Sequence, residues 1–426
     1  MYRFFYTTLL YLSVPLILCR LLYRSLQAPA YRLRWRERFG VFVFPQLGAE
    51  QLQPLWIHAV SVGETLAAEP LVRRLLIEHP KRPLIITTMT PTGSERVRSL
   101  FGDRVFHVYA PYDLPGAVKR FLRQVNPAAL IIMETEIWPN TAHLCWRCKI
   151  PLLLVNGRMS AKSLSGYQRI ATITREALTS FTTIAAQSDT DAQRYVTLGA
   201  TAERVQVTGS LKFDVTLPQL DCQELPLVLR SLENSHRPIL IAASTREGED
   251  EKVIAAFQSC LQQQPQLMLI LVPRHPERFD SVAQMVSSQG LSLVRRSDNR
   301  EINADTQVVL GDSMGEMWLY FSIADVAFVG GSLVDTGCHN VLEPTALGLP
   351  VLVGPSQFNF ESICQMLQQA GSLITVADEK DLAQQVLNLL VNKEKRLSMS
   401  AAGKTVVENN RGALDKILQL IDQSLH

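Results

Sequence analysis

Residues 55–88 read LWIHAVSVGETLAAEPLVRRLLIEHPKRPLIITT and decide the fold class. An apolar run at 55–60 is followed by leucines at helical spacing over 64–79, and then by a β-branched run at 84–88. Strand, helix and strand in this order predict a βαβ unit with parallel strands. The stretch therefore predicts an α/β protein.

The same alternation continues on both sides of a strand-poor, proline-containing segment at 215–238. Further strands are predicted in the first half at 105–110, 129–133, 152–156, 183–187 and 205–208. The second half predicts strands at 239–243, 268–272, 291–294, 308–310, 326–329, 350–353 and 373–376, with two or three helices over 379–425. Two doubly wound, Rossmann-like domains follow, and in such folds ligands bind at the carboxyl ends of strands. We expect the site in the cleft between the domains.

The predicted organisation has five parts, and the chain is long enough for two hydrophobic cores. They are an N-terminal apolar and basic segment (1–38), a first α/β domain (39–214), a linker (215–238), a second α/β domain (239–405), and a terminal helix (406–426) that packs back on the first domain. The 426 residues are 47% hydrophobic and 19% charged, which excludes a disordered protein. The net charge of +2 gives no indication of nucleic acid binding.

An apolar run from Phe4 to Cys19 near the N-terminus predicts a membrane anchor. A cleaved signal peptide is disfavoured because no small-x-small site follows. A single span is preferred, and an interfacial amphipathic helix remains the alternative. The positive-inside rule places the body in the cytoplasm, and the arginines suit an anionic membrane surface. These arginines are Arg20, Arg24, Arg32, Arg34, Arg36 and Arg38, opposed by Glu37 alone.

Acidic residues follow two predicted strands of the first half. Glu64 opens a helix directly after strand 55–60, and Glu134 follows the apolar strand 129–133. Glu64 is either a first-turn residue that satisfies the helix dipole or a general base for an acceptor hydroxyl. Glu134 and Glu136 are costly after so apolar a strand unless they are paired. Lys212, after strand 205–208, is a natural partner for Glu134 or for a phosphate.

Residues that directly follow the predicted strands of the second half are of types that bind nucleotides. Arg274 offers a planar fork for a phosphate. The glycine-rich stretch 330–344 predicts phosphates over its glycines and the following helix N-terminus, with Glu343 for ribose hydroxyls. Residues 311–317 open another helix whose N–H groups suit an anion or a base edge.

Other chemistries find little support in the sequence. Neither G-x-x-x-x-G-K-[ST] nor G-x-G-x-x-G is present at the required positions, which disfavours P-loop and NAD-type sites. Asp189 and Asp191 are interpreted as helix-capping residues rather than metal ligands. Cys145 and Cys148 fall in a predicted helix after a strand, which disfavours a redox pair or a zinc site.

Taken together, residues 61–64, 133–140, 210–214, 273–275 and 330–344 resemble the transferases of 3-deoxy-D-manno-octulosonic acid (Kdo) in lipopolysaccharide lipid A–core biosynthesis. The resemblance implies a GT-B architecture, CMP-Kdo as donor, a lipid A precursor (lipid IVA) as acceptor, and no metal or other cofactor. It implies catalysis with inversion at the cytoplasmic face of the inner membrane.

The resemblance also implies roles for individual residues. Glu64 matches the catalytic base, and Glu134 with Lys212 match residues that stabilise the transition state. Cys338 departs from the glycine usual before the His-Asn pair, and a positive φ there would strain it. The segments that match the CMP-binding residues are Pro273, Arg274, Gly315, Glu316, Met317, Asn340, Val341, Leu342 and Glu343.

Two rival functions fit the same architecture. A nucleotide-sugar epimerase needs no lipid acceptor, so the anchor argues against it. A non-catalytic nucleotide-binding protein is disfavoured by the set of charged residues at the strand ends. The number of Kdo residues added in succession is left open by the sequence.

Overall fold

The computed structural model describes residues 2–46, 48, 50–215 and 225–425. The chain forms two compact units, one of residues 1–214 with 410–426 and one of residues 215–409. The predicted linker at 215–238 contains a helix that belongs to the second unit, and residues 216–224 lie outside the described residues.

The first unit is built on a seven-stranded parallel sheet in the order β3-β2-β1-β4-β5-β6-β7. Its strands are β1 (Leu55–His58), β2 (Leu84–Thr88), β3 (Phe106–Tyr109), β4 (Ala129–Met133), β5 (Leu152–Gly157), β6 (Thr183–Ala186) and β7 (Val205–Val207). Its first helices are α1 (Tyr2–Gln27), α2 (Val62–Glu78), α3 (Pro91–Phe101), α4 (Pro115–Val125), α5 (Pro139–Arg147), α6 (Ala161–Gln168), α7 (Ala171–Leu178) and α8 (Asp189–Thr197). Two apolar clusters, one on each face, cover the sheet.

The second unit repeats this design with the order β10-β11-β9-β8-β12-β13-β14, again all parallel. Its strands are β8 (Ile239–Thr245), β9 (Met268–Pro273), β10 (Leu293–Arg295), β11 (Val308–Leu310), β12 (Val326–Val329), β13 (Val351–Val353) and β14 (Leu373–Thr375). Its helices are α9 (Leu227–Asn234), α10 (Asp250–Leu261), α11 (Phe279–Ser288), α12 (Met317–Ser322), α13 (Leu342–Leu347), α14 (Glu361–Gln369), α15 (Glu379–Val391) and α16 (Lys393–Asn410).

The last helix, α17 (Ala413–Ser424), returns to the first unit. Its residues Ile417 and Ile421 join the apolar cluster that contains Leu55 and Leu71. The carboxylate of Asp214 accepts hydrogen bonds from the N–H groups of Gly412 and Leu414, both at 2.6 Å, and so caps this helix.

All fourteen predicted strands are present, with ends that differ by at most two residues from the observed ones. The prediction succeeds because every strand of a covered parallel sheet is apolar on both faces and reads as a continuous run. The doubly wound α/β fold class is therefore confirmed for both units.

Helix α1 differs from an isolated membrane span. By length and composition it can cross a membrane, over residues 2–26 with a mean hydropathy of 1.6. Its first third, however, hydrogen-bonds to the first unit: the Tyr6 hydroxyl to Asp113 at 3.0 Å, and Thr7 to the Asn140 side chain at 3.0 Å. A span followed by a cytoplasmic body would put these residues on the far side of the bilayer, so this arrangement fits the interfacial alternative.

The arginines after α1 do not form one uniform basic collar. Arg38 is 2% exposed, lies over the ring of Tyr109, and donates to the carbonyl of Met89 at 3.0 Å. Arg34 pairs with Glu37 at 2.6 Å. The expected contact with an anionic membrane surface therefore has to come from the other arginines, since burial removes Arg38 from solvent.

Candidate active site

The two acidic motifs of the first unit meet at the switch point of its sheet. Strands β1 and β4 are neighbours although they are not consecutive, and Leu55 to His58 pair in register with Ala129 to Ile132. Helix α2 after β1 carries Glu64, and Glu134 follows β4 directly. The topological rule for doubly wound sheets places ligands at this point.

Glu64 is held close to the strand end from which its helix begins. One carboxylate oxygen accepts from the N–H of Val60 at 2.8 Å and the other from the Ser61 hydroxyl at 3.3 Å. Burial, together with the charges of Glu134 and Glu136, raises the pKa of Glu64 to about 8, although the two hydrogen bonds act to lower it. The first-turn role and the base role considered from the sequence are thus both compatible with one position.

Glu134 has a left-handed backbone, with φ of 59°. Such a conformation is costly for a non-glycine residue and is found preferentially at functional sites. The Tyr195 hydroxyl donates to the carbonyl of Glu134 at 3.2 Å and helps to hold the turn. Burial raises the pKa of the Glu134 carboxyl, while the charges of Lys212 and Arg158 oppose this.

Lys212 lies in a short turn that two side chains fix. The N–H of Leu211 donates to Oδ1 of Asn156 at 3.1 Å, and Asp214 caps α17 from the other end of the turn. Lys212, the predicted partner of Glu134, interacts electrostatically with that carboxylate. Arg158, which the sequence analysis did not single out, acts on the same carboxylate.

The candidate donor-binding residues of the second unit follow three strands of its sheet, β11, β9 and β12. Gly315, Glu316 and Met317 follow β11, Pro273 ends β9 and Arg274 follows it, and the glycine-rich loop follows β12. Between β9 and β12 lies β8, whose following turn carries Arg246 and Glu249.

Glu249 changes the interpretation of the glycine-rich loop. Its fully buried carboxylate accepts from the N–H groups of Gly331 at 2.7 Å, Ser332 at 3.0 Å and Leu333 at 2.8 Å. The expectation that these amides bind phosphate is wrong, because a protein carboxylate already occupies them. A side chain at Gly330 would meet that carboxylate at 2.7 Å, which explains the glycine there.

The segment from Asn340 to Glu343 is organised by its own side chains. The amide of Asn340 accepts from the N–H of Leu342 at 3.0 Å and donates to Glu343 at 3.0 Å. Burial raises the pKa of Glu343, whereas the hydrogen bond from Asn340 and the charge of Arg274 act to lower it. Val341 and Leu342 are fully buried, so their side chains are not exposed to a ligand.

The left-handed residue before the His-Asn pair is Gly337, with φ of 79°, rather than Cys338. The strain considered for the cysteine is therefore absent. Cys338 is buried, and its sulfur lies 3.7 Å from that of Cys364.

Glu316 precedes α12 and is engaged on both oxygens, by Arg296 at 2.7 Å and by the Ser313 hydroxyl at 2.5 Å. Its carboxylate therefore orders the turn that contains Gly315, whose φ is 83°.

The two aspartates that the sequence predicted to cap a helix lie at the start of α8. Ser188 rather than Asp189 caps this helix, and Asp191 accepts from the N–H of Met159 at 2.8 Å.

The sequence Thr245-Arg246-Glu247-Gly248-Glu249 was the signal that the sequence analysis missed. It follows a predicted strand, as the other motifs do, and combines a glycine with three charged residues. Its role depends on contacts with residues about 30 and 90 positions further along the chain, which no local pattern shows.

Known proteins and protein families match this chain over nearly its whole length. A family model for 3-deoxy-D-manno-octulosonic-acid transferase matches residues 33–215, and one for glycosyl transferases group 1 matches residues 239–406. The 3-deoxy-D-manno-octulosonic acid transferase of Haemophilus influenzae is 43% identical over 99% of this chain and 98% of its own. This chain belongs to the Kdo transferase family.

Further comparisons agree with this membership. The Kdo transferase of Bordetella pertussis is 37% identical, covering 91% of this chain and 92% of its own. A solved complex of S. aureus MnaA with UDP has a TM-score of 0.57 at 16% identity, covering 88% of this chain and 97% of that one, and is similar in fold alone. The Kdo transferase described here is thus a glycosyltransferase of GT-B architecture.

Proposed function

We propose that this Kdo transferase moves Kdo from CMP-Kdo to the lipid A precursor lipid IVA, inverting the anomeric configuration, with Glu64 as general base. The observation that carries the proposal is the position of Glu64 at the β1–β4 switch point, in electrostatic interaction with Glu134. A carboxyl whose pKa is raised towards neutrality is suited to accept a proton in catalysis.

The proposed chemistry is a single displacement. An acceptor hydroxyl oxygen attacks the anomeric carbon of Kdo while the bond from that carbon to the phosphate oxygen breaks. The bonding electrons leave with CMP, which departs as a phosphate monoester, and the hydroxyl proton passes to Glu64. Lys212 stabilises negative charge that develops in the transition state, and Glu134 positions Lys212.

The donor is assigned to the second unit. Arg274 binds the phosphate as a planar fork, and Glu343, held by Asn340, faces the ribose hydroxyls. The remaining contacts are assigned to Pro273 and to the turn of Gly315, Glu316 and Met317, while the buried Val341 and Leu342 fix the segment between Asn340 and Glu343. The reaction is proposed to proceed without a metal ion, with arginine and lysine providing the positive charge.

The anchor is proposed to be monotopic, in the cytoplasmic leaflet of the inner membrane. Large apolar residues of α1 remain exposed while Tyr6 and Thr7 dock on the body. An open cavity of about 660 Å³ is formed mainly by the residues that come directly after α1 in the chain. Its lining includes arginines and aromatic side chains, which suits an anionic membrane surface. The arginines of this lining are Arg32, Arg34, Arg36 and Arg98, of which Arg34 is paired with Glu37 in the same lining.

The test is transfer by the purified full chain in mixed micelles with CMP-Kdo and lipid IVA, with and without EDTA, followed by mass spectrometry of the lipid. We expect a lipid heavier by one or more Kdo residues, unaffected by EDTA. An epimerase would convert the donor without acceptor, and a binding protein would bind CMP without turnover. Either result would overturn the proposal.

A further inference from the structure

Arg246 is fixed by two imidazole rings at the carboxyl edge of the second sheet. Its Nε–H donates to Nε2 of His339 at 3.1 Å, and its Nη1–H donates to Nε2 of His275 at 2.5 Å. These three residues follow β8, β12 and β9, which are adjacent in the sheet. The guanidinium is therefore held from both sides in one orientation.

Neither ring neutralises the arginine. Burial, together with the charges of Arg246, Arg274 and His275, lowers the pKa of His339 to about 4. The pKa of His275 is also lowered, by burial and then by Arg246. Both rings are neutral acceptors near pH 7, and within residues 2–46, 48, 50–215 and 225–425 no carboxylate lies within ion-pair distance of Arg246.

The nearby carboxylates have other partners. Glu249 follows Arg246 by three residues, but it is engaged by the amides of the glycine-rich loop and by the Arg246 backbone N–H at 3.1 Å. Glu343 is bonded to Asn340 and interacts with Arg274. A guanidinium has five N–H donors, of which Arg246 uses two on the rings, leaving three that include both on Nη2.

Arg274 supplies a second positive charge beside the same rings. It follows β9, and its backbone N–H donates to the carbonyl of Thr245 at 3.0 Å. The charge of its side chain lowers the pKa of both His275 and His339. The charges of two arginines thus act on one pair of imidazoles. A ligand with two neighbouring anionic groups fits this arrangement better than a ligand with one.

We propose that Arg246 binds the carboxylate of the acidic sugar in the donor, while Arg274 binds the phosphate. This inference depends on the proposed use of CMP-Kdo. In that donor the carboxylate and the phosphate oxygen are both bonded to the anomeric carbon, so the groups that bind them must be adjacent. Arg246 then selects a sugar acid over a neutral sugar, because a neutral sugar would leave the arginine without its anion.

The test compares binding of CMP with use of CMP-Kdo by full-length variants in detergent. For Arg246→Gln we expect the Kd for CMP to change by less than about twofold, and the KM for CMP-Kdo to rise about 10–100-fold, as loss of a charge-assisted pair predicts. Arg246→Lys keeps the charge without the fork, and we expect an intermediate KM. Arg274→Gln should weaken CMP and CMP-Kdo together.

Controls separate this inference from the proposed function. Arg300→Gln removes an arginine that is 62% exposed in the same unit, and both constants should stay at the wild-type values. Equal weakening of CMP and CMP-Kdo in Arg246→Gln, or no change in either, would overturn the carboxylate assignment while wild-type transfer stands. If the wild type shows no transfer from CMP-Kdo, the proposed function fails instead. Should Arg246→Gln not fold, Arg246→Lys gives the same comparison.

Discussion

The hydroxyl of Tyr6 donates a hydrogen bond of 3.0 Å to Oδ2 of Asp113 and so ties helix α1 to the rest of the first unit. The same carboxylate accepts from the N–H groups of Asn140 at 2.9 Å and Thr141 at 2.7 Å, at the start of α5. Helix α5 begins five residues after Glu134. One buried acid therefore links helix α1 to the loop that carries a proposed catalytic residue.

Substitutions of Tyr6 and Asp113 should reduce the free energy of unfolding by different amounts. Tyr6→Phe removes one hydrogen bond and is expected to destabilise by about 1 kcal/mol. Asp113→Ala leaves two helix N–H groups and two hydroxyls without their acceptor, and should cost about 2–4 kcal/mol. Thermal unfolding in detergent measures both. Tyr23→Phe, at a tyrosine of α1 that is 67% exposed, is the control and should leave the Tm unchanged. An Asp113→Ala protein as stable as Tyr6→Phe would contradict the capping role.

The Glu64→Gln variant tests the general base. The amide oxygen can still accept from the Val60 N–H, so the fold and the affinity for CMP should be retained. The rate of Kdo transfer is expected to fall by about 10²–10⁴-fold, the usual contribution of a positioned base. Glu69→Gln, on the exposed face of the same helix and paired with Arg73 at 2.7 Å, is the matched control. Near-normal turnover of Glu64→Gln would discard the assignment.

The pH dependence of transfer should follow the ionisation of Glu64. A base has to be ionised, so kcat/KM should rise with pH up to about 8, where burial places the pKa of this carboxyl. The charge of Glu136 raises that pKa, and Glu136→Gln should therefore move the rising limb to lower pH. Rate profiles of the two proteins check this, and a limb that moves to higher pH would contradict the electrostatic coupling.

The same carboxyl should cost stability in alkaline solution. Its folded-state pKa of about 8 lies above the value of 4.5 that it has when exposed, so folding favours the protonated form. The stability from this group is complete below pH 4.5 and is lost as the pH rises towards 8. Glu64→Gln should then have a higher Tm than the wild type at pH 9, by about 2 °C or more, but not at pH 4. Equal differences at both pH values would rule out this cause.

Glu249 should be essential to the glycine-rich loop. Each of its oxygens accepts two backbone N–H groups, so in Glu249→Gln the amide NH₂ would face donors in either orientation. We expect a loss of several kcal/mol, faster hydrogen exchange at residues 330–334, and weaker CMP binding. Glu247→Gln, at an exposed residue of the same turn, is the control. Unchanged exchange in Glu249→Gln would show that the loop is held by other contacts.

The amino-acid sequence by itself determined the two parallel sheets, the strand positions, and the candidates Glu64, Glu134, Lys212 and Arg274. It could do so because buried parallel strands are continuous apolar runs, and charged residues directly after such runs lie at the carboxyl edge of a sheet. The tertiary structure alone decided which groups meet. The engagement of the glycine-rich loop by Glu249, the two imidazoles around Arg246 and the docking of Tyr6 on Asp113 all join residues distant in the chain, and such contacts depend on strand order and packing rather than on local pattern.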